Sequence, residues 1–171
     1  KERRVTLIYI LLFVSIILEG IISLIIPIYH SIFVPTFLLI TIICIYPYFK
    51  DNYKKYFMII FIAGLVYDFL YTQTLFLDAV IFVLLAFLYH KVYKYINYKF
   101  LGTIVTFILA ISLYRISIFL ILCITGYNIF SFSRLWMSIL DSLVLNIIYG
   151  LLLQKFLERF YERRFLYSKI Y

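Results

Sequence analysis

Five ionisable side chains lie where the surrounding sequence should exclude water. Glu19, Asp68, Asp78 and Asp141, with the cation Arg115, interrupt long runs of Ile, Leu, Phe and Val. In hydrocarbon each charge costs about 2.5–3.5 kcal/mol even on the lenient insertion scale, so each requires a partner, water or a neutral protonation state. Such a set can lock helices together, hold a partner protein or pass an ion. Catalysis fits poorly. An aspartyl dyad of Asp68 and Asp141 is conceivable, but the flanking residues lend it no support. His30 and His90 fall at opposite sides of the layout derived below, so no metal can use both. The sequence holds no His-Glu-x-x-His, cysteine cluster, Gly-x-Ser-x-Gly elbow or glycine-rich phosphate loop. Cys44 and Cys123 sit within apolar runs and read as packing residues. The expectation is a chain with no catalytic residue, no metal and no cofactor.

The elements that must position these side chains follow from composition. Of 171 residues, 66% are apolar and 14% charged, with a mean hydropathy of +1.07. A soluble domain has about 45–50% apolar and about 25% charged residues, so a water-soluble globule is excluded, as is a disordered chain. Apolar runs at 5–26, 31–49, 56–72, 75–93, 100–125 and 133–155 predict six transmembrane helices at about 20 residues per crossing. The class is all-α, an integral membrane protein with one domain over 1–171. The first run lacks a small-residue cleavage site and reads as a retained helix. Pro35 is placed in the first turn of the second span, and Pro47 near its end.

Charge sets the orientation. Lys1, Arg3 and Arg4 precede the first span, Lys50, Lys54 and Lys55 follow the second, and Lys91, Lys94 and Lys99 follow the fourth. Lys155, Arg159, Arg163, Arg164 and Lys169 follow the sixth. Thus 14 of the 16 cations fall on one face, which by the positive-inside rule is cytoplasmic, and both termini with it. The net charge of +8 is explained by this topology, with the lipid bilayer as the partner and no nucleic acid. Tyr46, Tyr48, Tyr53, Tyr56, Tyr89, Tyr93, Tyr95 and Tyr98 crowd the same boundary and read as an anchoring belt.

In this layout Glu19, Asp68 and Arg115 come late in outward spans, whereas Asp78 and Asp141 come early in inward ones. All five reach the outer half of the bilayer, where Arg115 could neutralise a carboxylate; Asp68 is either ion-paired, with Arg115 the best candidate by depth, or protonated and donating a hydrogen bond. Asp78 lies nearest the interface, within reach of water. Arg134 reads as an interfacial anchor. Helical spacing groups Ser15, Glu19 and Ser23; Gly64, Asp68 and Tyr71 or Thr72; and Arg134, Ser138, Asp141 or Ser142, Asn146 and Gly150. These faces should turn away from lipid. Gly102, Thr106 and Ala110 form a small-residue stripe suited to close packing.

The segment Gly64-Leu65-Val66-Tyr67-Asp68-Phe69-Leu70-Tyr71-Thr72, followed by a short polar turn and an apolar span, resembles the hallmark of the rod shape-determining MreD family. That family carries Gly-x-x-x-Asp at the outer end of its third span. Glu19 matches a polar, often acidic position in the first span, and Asn146 a polar position in the last. The family usually continues with Leu-Gly after the hairpin, whereas Thr74-Leu75-Phe76-Leu77-Asp78 lacks the glycine. The resemblance implies a non-enzymatic component of the bacterial elongation machinery in the cytoplasmic membrane. Its implied partners are the bitopic protein MreC, the MreB filament and the peptidoglycan synthases. The alternative is the substrate-binding component of an energy-coupling-factor vitamin transporter, also six helices in about this length. Those proteins show an Ala-x-x-x-Ala face in the first helix, and the first span here has no alanine.

Overall fold

The structure, a computed structural model, describes residues 2–25, 35–49, 52–74, 76–95, 100–127 and 129–167. Six α-helices run through them: α1 (Glu2–Ile25), α2 (Phe37–Ile45), α3 (Tyr53–Tyr67), α4 (Leu77–Val92), α5 (Phe100–Ile124) and α6 (Phe132–Tyr167). Short 3₁₀ turns extend α2 over Tyr46–Tyr48 and α4 over Tyr93–Tyr95, and a π-helical turn extends α3 over Asp68–Thr72. Among the described residues there is no strand. Among the described residues, four helices are long and apolar enough to cross a membrane, over Thr6–Ile25, Tyr53–Thr72, Leu101–Ile124 and Phe132–Arg159. The turn at Pro27 to His30 and the segments around Lys50 and Asn97 lie outside the described residues.

The shortest α-helix is the central one. Residues of α2 are apolar all round apart from Thr41, and such a helix is stable only when surrounded. It is buried along almost its whole length and packs on α1, α6, α4 and α5. Adjacent helices pair as α1 with α2, α3 with α4 and α5 with α6. Glycines on α3 and α6 admit close approaches. A Cβ on Gly64 would fall on the Ala79 backbone of α4, and one on Gly150 would fall among Phe107 and Ile40 side chains.

Several expectations need correction. Pro35 precedes the N-cap residue Thr36 instead of lying in the first turn. The last helix runs to Tyr167, well past the apolar run ending at 155. Hydropathy marks where apolar burial stops, and the helix continues in polar sequence, where Gln154 donates to Glu158 one turn on (2.9 Å). The tyrosine belt is partly core. Tyr46 and Tyr56 are buried and pack edge to face, with centroids 5.1 Å apart. Tyr56 donates to the Ile42 carbonyl (3.0 Å), and the Tyr46 hydroxyl bonds His90 Nδ1 (2.6 Å). Tyr53 and Tyr95 remain exposed. A tyrosine is amphipathic, so the residue type alone does not separate the interface from a core position with a hydrogen-bond partner.

Candidate functional site

The first four N–H groups of any helix lack partners within it, and hydrocarbon offers no water to replace them. The helices α2 and α4 both meet this problem without a local cap: neither Thr36 before α2 nor Phe76 before α4 supplies a side-chain acceptor. Distant residues supply it instead. Glu19 of α1 accepts the Leu38 N–H on Oε2 (3.1 Å), and Asn146 of α6 accepts the Thr36 N–H on Oδ1 (2.7 Å). Asp68 of α3 accepts the Asp78 N–H on Oδ1 (2.9 Å) and the Ala79 N–H on Oδ2 (3.1 Å). Carboxylates at helix N-termini also oppose the positive end of the helix dipole. Glu19, Asp68, Asp78, Ser142 and Asn146 are all buried.

Hydroxyls complete the layer. Tyr67 donates to Glu19 Oε1 (2.7 Å), and Tyr114 to Asp78 Oδ1 (2.8 Å). The Phe82 ring lies between those tyrosines, 5.5 Å from each. Thr72 and Thr74 donate to Asp68 Oδ1 at 3.2 and 2.9 Å. Tyr71 covers Gly20 and donates to the Ile16 carbonyl (2.6 Å), tying α3 to α1.

Set against the sequence reading, the acids of α1, α3 and α4 do come together, but through backbone amides and tyrosines. The oxygens of Asp68 receive two amides and two hydroxyls, not the Arg115 guanidinium, which lies over the Tyr114 ring at 5.8 Å. Asp78 is fully buried rather than water-accessible, with the Asp68 carboxyl beside it. On α6 the buried members of the stripe are Ser142, Asn146 and Gly150. Asp141 is half-buried, and Arg134 and Ser23 are exposed. Tyr67, Tyr114 and Thr74 join the site without a charge or a helical stripe in the sequence to mark them. A usable signal existed for Tyr67: it falls between Gly64 and Asp68, and buried tyrosine hydroxyls need partners.

The hairpin has an unusual backbone. Gln73 and Phe76 both adopt left-handed conformations, with φ of 52° and 66°. Phe76 follows Leu75, the place where the Leu-Gly of the resemblance puts its glycine, so here a residue with a Cβ takes the left-handed backbone. Around it Phe69 (83% exposed), Leu70 and Phe76 present apolar surface.

An all-helical chain with apolar helices of membrane-spanning length, whose buried helix ends are capped by carboxylates, defines a membrane protein. The chain belongs to the MreD family: the family profile described as rod shape-determining protein MreD matches residues 2–161. No curated protein and no solved structure matches it. Membership makes it a bacterial cell-shape protein of the rod complex.

Proposed function

We propose that the chain is a non-enzymatic, six-span platform of the cytoplasmic membrane, with both termini in the cytoplasm. It binds an MreC-like bitopic protein at its outer end, and through it takes part in regulating peptidoglycan synthesis alongside the MreB filament and the synthases. Two features support the span count. With its terminal turn α4 rises about 30 Å, the thickness of the hydrocarbon core. The N-terminus of α2 is buried against Glu19 and Asn146, as suits a helix that starts within the bilayer. The 14-to-2 cation split supports the orientation.

The observation that carries the partner reading is the hairpin itself. Asp68 binds the start of α4 while Gly64 admits its backbone, so the π-helical turn is held rigidly with Phe69 and Leu70 outward. A rigid apolar knob beside a fixed turn suits a partner's transmembrane or juxtamembrane segment. A photocrosslinking residue at Phe69 or Leu70 in cells should capture the bitopic partner. The same residue at Leu84 or Leu88, exposed on α4, should not. Equal capture at both places, or none at the hairpin, would refute this surface.

A further inference from the structure

The helices α1 and α3 meet at one end and part at the other. They meet where Tyr71 donates to the Ile16 carbonyl and Tyr67 to Glu19. Toward their starts an apolar groove of about 360 Å³ opens between them, walled by Tyr9 to Ile16 on α1 and Lys55 to Val66 on α3. Its floor includes Ile59 and Ala63, both buried. Among the described residues the polar side chains lining it are Lys55 and Tyr9, at the starts of the two walls.

We infer that this groove is a binding site for an anionic phospholipid, with an acyl chain along Ile59 and Ala63 and the phosphate at Lys55. Length argues for it. From Lys55 to Val66 the α3 wall rises about 16 Å, close to half of the roughly 30 Å hydrocarbon core, which is the reach of one leaflet's chain. Shape argues against a helix as occupant: the groove narrows to the Tyr71–Ile16 contact, and a helix with its side chains is about 10–12 Å across. Charge selects the headgroup. The Lys55 side chain is exposed at the open end, where a lysine beside a membrane surface favours anionic lipid by about fivefold. Lys55 marks the headgroup end whichever way the chain crosses the membrane, so the site does not depend on the proposed orientation.

The test uses the full chain in nanodiscs of phosphatidylcholine doped with a photoactivatable acyl-chain lipid, either phosphatidylglycerol or phosphatidylcholine. Crosslinked peptides are mapped by mass spectrometry. The phosphatidylglycerol probe should label Phe13 and Ile62, on the groove walls, about fivefold more than the phosphatidylcholine probe. Labelling at Leu84 and Leu88 on α4 should show no headgroup difference. Lys55→Gln, a change at an exposed side chain that leaves the core untouched, should erase the difference at the groove. Equal groove labelling by both probes in the native chain would overturn the site. So would a headgroup preference that survives Lys55→Gln, or one equally strong on α4.

Discussion

Asp68 accepts four hydrogen bonds on its two carboxylate oxygens, two of them from amides in the first turn of α4, whose N-cap residue Phe76 offers no side-chain acceptor. Asp68→Ala should strand those amides where water is excluded and destabilise the protein by about 2–6 kcal/mol, since each buried donor left unmade costs about 1–3 kcal/mol. Asp68→Asn keeps one carbonyl oxygen and should cost less. Reversible unfolding in detergent titrations would give that order, and equal losses would show that the amides find other acceptors. Glu19, Asp68 and Asn146 were legible in the sequence because polar groups in apolar runs are too costly to be idle. Their partners were not legible. Shared depth makes Arg115 the ion-pair candidate for Asp68, whereas Asp68 meets backbone amides, which every residue but proline carries and no composition reveals.

At the scale of elements, the run lengths were readable and the helix starts were not. The apolar runs located α1, α3 and α5 closely, because hydrophobic length and helix length coincide there. They missed the late start of α2 at Phe37 and the long extension of α6, which are fixed by acceptors elsewhere in the chain and by polar helical sequence. The hairpin between α3 and α4 offers a test of local strain. A left-handed backbone costs a residue with a Cβ about 1–2 kcal/mol. Phe76 recovers part of it by stacking on Phe61, at a centroid distance of 6.3 Å, toward the long end of the range for such pairs, where the gain is about 0.5 kcal/mol. Phe76→Gly should therefore stabilise the protein by about 0.5–1.5 kcal/mol, while Phe76→Ala, which loses the stack and keeps the strain, should destabilise it. Paired unfolding measurements would isolate the backbone contribution; a glycine variant no more stable than the alanine variant would show that Phe76 is unstrained.

For the whole molecule, topology decides whether the capped helix ends and the apolar hairpin share one side of the membrane. Glu19, Asp68 and Asn146 hold the starts of α2 and α4 in one connected polar layer, and α1 and α3 must then cross in the same direction, as their meeting at Tyr71 and Ile16 requires. Cations concentrate at the opposite ends of these helices, at Arg3 and Arg4 on α1 and Lys54 and Lys55 on α3. The positive-inside rule then places the hairpin outside. With Cys44→Ala and Cys123→Ala as background, Gln73→Cys and Tyr127→Cys should react with an impermeant thiol reagent added to intact spheroplasts. Asn52→Cys should react only after the membrane is opened. Reaction at position 52 from outside, with none at 73, would invert the orientation and move the hairpin to the cytoplasmic face. Reaction at 52 and 73 from the same side would mean that α3 does not cross at all, and the six-span platform would fail with it.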